Sequence, residues 1–152
     1  MFSKQEAAIL KEQFWTRFGQ YMQPVPSAEG VKVNWVNYKT GVKDVHFKME
    51  AGTTAATIAI VLTQPDLEKQ RIFFNQLVQV KKLLQDASQQ DWHWCLHTKD
   101  GNNKIISHVA ASLAGVNIYK KEDWPAIISF FKPGIIALDA FWREVKDGFV
   151  YI

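Results

Sequence analysis

The stretch AATIAIVL, residues 55–62, decides the fold of this chain. Alternate residues of a strand point to opposite sides of its sheet, and here both sides carry only small or apolar side chains. A strand with one face in water alternates apolar with polar residues, whereas a strand covered on both faces does not. We therefore expect residues 55–62 to form a central strand whose two faces are both covered.

Two further strands are expected just before this one. Residues 31–35 and 44–50 both alternate apolar with polar side chains, which is the pattern of strands buried on one face. Turn-forming residues lie at 39–41 and 51–52. Because strands joined in series by short turns form a meander, we expect a three-strand meander that ends with residues 55–62.

Helical periodicity surrounds this meander. A first helix over residues 3–23 begins with the Ser-x-x-Glu pattern of a capping box, and a second is expected over residues 64–87. A third apolar stretch covers residues 123–146 and contains Pro133. Since proline interrupts helices, this stretch predicts a C-terminal helix pair with a kink or break at Pro133.

The remaining strands are expected between the second helix and the C-terminal pair. Residues 91–97, 105–111 and 116–119 have strand patterns, and Asp-Gly-Asn-Asn at 100–103 marks a hairpin turn. The predicted fold class is therefore α/β (α+β), with a three-strand meander flanked by helices plus further strands. This order resembles the core of the restriction-endonuclease-like fold, and topology alone implies no activity.

Composition indicates one soluble domain over residues 1–152. Hydrophobic residues make up 47% of the chain, enough for a buried core, and the formal net charge of +3 is only mildly basic. A single cysteine excludes an internal disulfide, which fits a reducing cytosol. No apolar run approaches the roughly 20 residues that span a bilayer. We therefore expect a cytoplasmic protein without a membrane segment.

Four segments together resemble one protein family. They are FWTRF at 14–18, VNWVNYKTG at 33–41, QPD at 64–66 and DWPAIISFFKP at 123–133. The chain resembles domain-of-unknown-function family 4268, small bacterial proteins with no assigned activity, some of them linked to nuclease-like proteins. The resemblance implies an acid in the third strand and a histidine before Pro-Asp, where this chain has Val61 and Gln64. It therefore supports the fold and supplies no mechanism.

The nuclease-like resemblance makes Asp44 and Glu50 candidates for a residual acidic site. Metal-dependent nucleases hold Mg²⁺ between paired carboxylates beside a lysine. Residues 55–62 supply neither a carboxylate nor a lysine, and Asp44 is interpreted more simply as a solvated strand residue. A metal-dependent hydrolase therefore remains an alternative and not the leading hypothesis.

A second candidate is the histidine- and cysteine-containing strand. His93, Cys95 and His97 are two residues apart, so a regular strand would project all three to one face, where imidazole and thiolate suit Zn²⁺. His46 or His108 could complete such a site, and Cys95 could also pair with a histidine as a nucleophile. The opposite face of Trp92, Trp94 and Leu96 explains the alternation without a metal. No cofactor is expected.

A third candidate is a set of basic and aromatic residues, which can follow phosphates and stack on bases. Its members are Lys32, Tyr38, Lys39, Lys43 and Lys48. The alternative interpretation is an ordinary solvated strand face, with Trp35 in the core. Nucleic-acid binding is therefore possible through this hairpin.

The aromatic content favours self-association. Six tryptophans exceed the need of a small core, and the last four residues, FVYI at 149–152, are apolar and prone to strand formation. We therefore expect a homodimer. The leading hypothesis is a non-catalytic binding or scaffold domain that acts through protein contacts, and an accessory nucleic-acid-binding protein is the first alternative.

Overall fold

Four antiparallel strands form a single sheet within residues 3–152, which are the residues that the computed structural model describes. The strands are β1 (Val45–Ala51), β2 (Ala55–Leu62), β3 (His93–Lys99) and β4 (Ile105–Ala114). Their order across the sheet is β1-β2-β4-β3, and every neighbouring pair is antiparallel. The central position of residues 55–62 is therefore confirmed.

Five helices accompany the sheet in the described residues. They are α1 (Lys4–Met22), α2 (Leu67–Gln79), α3 (Lys81–Ala87), α4 (Trp124–Val145) and α5 (Asp147–Val150), with a 3-10 turn at Lys121–Asp123 before α4. Ser3 caps α1 by accepting a hydrogen bond from the Glu6 amide, as the capping-box pattern predicted. The mixed α+β class is confirmed.

Helices α2 and α4 pack on the sheet, and α1, α3 and α5 pack on these two helices, so the core lies on the helix-bearing side. Ala56, Ile58, Ile60 and Leu62 of β2 are fully buried there. In α4, Gly134 lies against Ile58, close enough that an added Cβ would be 3.1 Å from the Ile58 Cδ1 atom. The absence of a side chain at Gly134 therefore lets the longest helix approach the central strand.

Helix α4 continues through Pro133, so the break expected there is wrong. Proline removes the hydrogen bond that its amide would donate to the carbonyl of Ser129, four residues earlier. Both Ser129 and Pro133 are exposed, so water can satisfy that carbonyl. The C-terminal pair consists instead of the long α4 and the single turn α5, in which Phe149 is buried.

The first predicted strand is also wrong, because residues 31–35 lie in a long irregular connection between α1 and β1. Trp35 is nevertheless buried, and its indole donates to the carbonyl of Val25. The meander therefore has two strands instead of three, and the restriction-endonuclease-like order is not confirmed. Residues 116–119 are likewise not a strand.

The second face of β2 is not covered by helices, which corrects the expectation that both faces are covered. Ala59 and Val61 on this face are only 7% and 6% exposed. They are shielded by longer side chains on neighbouring strands, since Lys48 is the register partner of Ala59 and His108 that of Val61. Short side chains among longer ones are hidden without any covering layer.

One described stretch, Lys121–Val145, is long and apolar enough to cross a membrane. More than half of its most apolar window is buried within the protein. That burial is typical of the core helix of a soluble protein, so this stretch is weak evidence for a membrane segment.

Candidate functional site

The uncovered face of the sheet carries a concave groove of about 700 Å³, here called the open-face trough. All four strands and the β3–β4 hairpin contribute to it. Its lining consists of Lys48, Glu50, Thr57, Ala59, Val61, Thr63, His93, Asp100, Gly101, Asn102, Ile106, His108, Ala110 and Ser112. The core lies on the other side of the sheet, so these side chains are free of core packing.

The strand register sets the layout of the trough in rows across the sheet. In one row Lys48 faces Ala59, Ala59 faces Ala110, and Ala110 faces His93. Two alanines therefore form the floor, with a lysine on one rim and a histidine on the other. The next row places Glu50 beside Thr57, whose hydroxyl lies 3.1 Å from that of Ser112.

A β-bulge between Cys95 and Thr98 shapes one end of the trough. Bulges bend a strand and increase its twist. The hairpin that follows lines the trough together with Lys48, which belongs to the opposite edge of the sheet. The amides of Asn102 and Lys104 donate to the Asp100 carboxylate and lower its pKa.

Two imidazoles meet in the trough. The rings of His93 and His108 are 6.2 Å apart between centroids. Burial, and then the charge of His93, lower the pKa of His108. In the edge strand β1, burial lowers the pKa of His46, and Lys48 and Lys104 add to this effect while Asp44 opposes it. The unprotonated forms of His46 and His108 are therefore favoured.

The bulge separates the three residues of the proposed zinc strand. His97 adopts a left-handed backbone with φ of 52°, and its ring donates from Nε2 to the Leu67 carbonyl at 3.1 Å. His93 and Cys95 stay on the open face, so the expectation that all three share one face is wrong. In the part of the chain that is described, no group of three His, Cys, Asp or Glu residues is arranged to hold a metal ion.

The two acids of the proposed residual site are not brought together. Asp44 and Glu50 are six positions apart along β1 and its leading residue, a separation of about 20 Å at roughly 3.3 Å per residue. The Asp44 carbonyl instead accepts the Thr63 amide at 2.9 Å. Glu50 lines the trough and lies opposite Thr57, so β2 provides no carboxylate beside it.

The basic and aromatic set is dispersed over different surfaces. Lys48 lies in the open-face trough, whereas Lys32 lines a shallow depression beside Pro24 and Pro26. Lys43 is exposed and lines neither of these. The five residues therefore do not all line one depression, and nucleic-acid binding through them stays a prediction.

Tyr38 and Lys39 line a second cavity of about 380 Å³ between the long connection and α4, here called the clamp cavity. The Tyr38 hydroxyl donates to buried Asp139, which also accepts the Ala28 amide at 2.7 Å. Burial and the Asp139 carboxylate raise the pKa of Tyr38 well above its ordinary value. Because these bonds fasten residues 28 and 38 to α4, the cavity wall has a structural role.

Several trough residues, Ala110 and Ser112 among them, were not singled out from the sequence. These two share one side of β4 with His108, while Val109 and Ala111 on the other side are buried. That alternation is readable in residues 105–112 and could have indicated an open face. The contribution of Asp100 depends on the bulge, for which the sequence has no comparable signal.

Comparison with known proteins finds a match to one family, described as "Domain of unknown function (DUF4268)", over residues 10–146. No curated protein and no solved structure matches the chain. The match covers most of the chain, including the larger part of α1, the sheet and α4.

Proposed function

This chain belongs to the family described as a domain of unknown function (DUF4268), and since that description names no activity, we propose a function from the geometry of the chain itself. The protein is a binding domain whose ligand occupies the open-face trough. The open-face trough is thus the surface through which the expected non-catalytic binding domain acts.

The observation that carries the proposal is a concave, polar-lined surface that the core does not need. Lys48, Glu50 and His93 are exposed on the face opposite the helices. Ligand sites are concave and combine a largely apolar floor with a few converging polar groups. In the trough, Ala59 and Ala110 supply the floor, and charged and imidazole groups stand around it.

The geometry favours this function over the two alternatives. A metal-dependent hydrolase needs neighbouring carboxylates, and Glu50 and Asp100 line opposite ends of the trough. A single-stranded nucleic acid is usually held by aromatic stacking, and no Phe, Tyr or Trp is among the described residues that line the trough. Of the five basic and aromatic candidates, only Lys48 lies there.

Filling the trough tests the proposal. Ala59→Phe places a ring on the floor between Lys48 and Ala110, on a face without helix packing. Ala126→Phe adds the same side chain to an exposed position of α4 and is the matched control. Both variants are to be compared with the wild type in an NMR screen against a chemically diverse fragment library.

We expect fragments to shift the backbone amides around the trough in the wild type and in Ala126→Phe. Ala59→Phe is expected to lose these shifts while keeping the dispersed spectrum of a folded protein. Fragments that bind elsewhere, or that bind Ala59→Phe equally well, would contradict the proposal. If Ala59→Phe does not fold, Ala110→Val narrows the same floor with a smaller side chain.

A further inference from the structure

Resting on this proposed function, we propose that the centre of the open-face trough binds the phosphate group of a small organic phosphate through Lys48, His93 and His108. These three residues are here called the central anion site. The ligand class is thus a small organic phosphate, and its binding is accompanied by the uptake of a proton.

Side chains that carry nitrogen donors approach one space in the trough from three positions. Lys48 and His93 end the same row, about 14 Å apart at their Cα atoms when adjacent strands are roughly 4.8 Å apart. The two alanines between them leave the space above the floor open. His108 enters from the neighbouring row, with its ring 6.2 Å from that of His93.

Donors that approach from three directions suit a tetrahedral oxyanion. A phosphate presents several oxygens around one centre, whereas a carboxylate presents two oxygens in a plane. Lysine is a common phosphate binder that acts as a point charge, and both ring nitrogens of a protonated histidine are donors. The central anion site therefore matches a phosphate better than a carboxylate.

The negative charges of the trough lie away from its centre. The acids lie at its two ends, with Glu50 in the row beyond Lys48 and Asp100 on the hairpin. The Asp100 carboxylate is held on the hairpin, because its Oδ1 atom accepts the amides of both Asn102 and Lys104. The centre, by contrast, combines one lysine with two imidazoles.

The size of the trough favours a phosphate that carries an organic group. A volume of about 700 Å³ exceeds that of a phosphate ion and leaves room for an organic group. Val61 and Ile106 line the trough beside the alanine floor and provide apolar contact for that group. Since Glu50 and the hairpin bound its length, a small molecule fits better than a long polymer.

Proton uptake follows from the same geometry. Burial and the proximity of His93 keep His108 neutral, and a bound dianion reverses that balance by stabilising the imidazolium. Binding therefore takes a proton from the buffer onto His108, and the affinity for an anion of constant charge rises as the pH falls through the histidine range. The charged and titratable groups on this face, among the described residues, are Asp44, His46, Lys48, Glu50, His93, Cys95, Asp100, Lys104 and His108.

The test uses the intact protein and the ring resonances of its four histidines. Sulfate is the first probe, because its charge is constant over the pH range in which histidines titrate. Phenyl phosphate is the second probe and carries an organic group, and acetate is the carboxylate control. Each probe is titrated at several pH values by NMR.

We expect sulfate and phenyl phosphate to shift the rings of His93 and His108 and to raise the pKa of His108, and we expect sulfate to bind more tightly at lower pH. The ring of His97, which is bonded to the Leu67 carbonyl, is expected to be unaffected. Phenyl phosphate is expected to bind more tightly than sulfate, and acetate more weakly than both. Sulfate binding that is independent of pH, or that leaves His93 and His108 unshifted, would overturn the inference.

Variants separate this inference from the proposed function. Lys48→Gln and His108→Gln are each expected to weaken phenyl phosphate about tenfold, the order of one charge-assisted hydrogen bond. Lys82→Gln, on the exposed surface of α3, is expected to have no effect. If library fragments bind the trough but anions do not, the inference fails and the proposed function stands. If nothing binds the trough, both fail.

Discussion

At the scale of single residues, buried polar side chains hold the long irregular connection to α4. Asp139 accepts hydrogen bonds from the Ala28 amide and the Tyr38 hydroxyl, and the Trp142 indole donates to the Thr40 carbonyl at 2.7 Å. Arg143 also donates to the Ala28 carbonyl. A stretch of about 20 residues without regular structure is unusual in a compact domain. These contacts explain how it keeps one conformation.

We expect Asp139→Ala to lower the free energy of unfolding by about 2–4 kcal/mol, because two hydrogen bonds to a buried carboxylate are lost and their donors are left without a partner. Urea denaturation measures the effect. Tyr38→Phe removes one of the two bonds and is expected to cost about half as much. Equal stability of Asp139→Ala and the exposed control Asp147→Ala would contradict a clamping role.

The lowered pKa of His108 predicts a pH dependence of stability. The ordinary pKa of a histidine is 6.5, so His108 of the unfolded chain takes up a proton as the pH falls below this value. In the folded protein, with its lowered pKa, His108 takes up that proton only at a lower pH. In a buffer without phosphate or sulfate, stability is therefore expected to fall as the pH drops below 6.5 and to level off below the folded-state pKa. His108→Gln is expected to have a shallower profile in urea denaturation at each pH. An unchanged profile would remove His108 as the cause.

At the scale of elements, the contact between α4 and β2 explains why the central strand consists of apolar residues. Alternate residues of β2 meet the helix layer, where Ile58 and Ile60 are fully buried. The edge strands are protected in different ways. Tyr38 stacks on Phe47 of β1, with ring centroids 5.1 Å apart, and β3 is interrupted by its bulge.

The close approach at Gly134 predicts a coupling between α4 and β2. Gly134→Ala favours the helix by about 1 kcal/mol through propensity but places its methyl against the Ile58 Cδ1 atom. Ile58→Val removes that atom. The double variant is therefore expected to be more stable than the sum of the single changes by about 1 kcal/mol. A double-mutant cycle in urea measures this, and strict additivity would show that the contact is not tight.

At the scale of the whole molecule, one face of the sheet packs against the core and the other carries the open-face trough. None of the six tryptophans is exposed, and the C-terminal residues 147–150 are helical with Phe149 buried. The aromatic surplus from which a homodimer was expected therefore builds the core. The homodimer stays a prediction, and static light scattering at high protein concentration tests it.

The one-sided core predicts a gradient of local stability across the sheet. Amide hydrogens of β2, which is paired on both sides and backed by α4, are expected to exchange only when the whole protein unfolds. Those of the bulged edge strand β3 are expected to exchange faster, through local opening. Hydrogen exchange followed by NMR separates the two classes, and equal protection of β2 and β3 would contradict this picture.

Periodicity along the chain determined which segments become helices and strands wherever neighbouring residues decide the outcome. The Ser3 cap forms as predicted, and so do the strands expected at residues 44–50 and 55–62, the first of which runs Val45–Ala51 in the structure. The alternation of residues 31–35 led to the wrong prediction of a strand, because a loop that packs around the buried Trp35 shows the same alternation of apolar and polar residues.

Only the tertiary structure decided what covers each face of the sheet. A periodic pattern shows which side chains share a side, but an alanine is equally hidden beneath a helix and between longer neighbours. Ala59 and Val61 therefore suggested a closed layer where a trough lies open. The meeting of Lys48, His93 and His108 depends in the same way on strand register, which pairs residues that are distant in the chain.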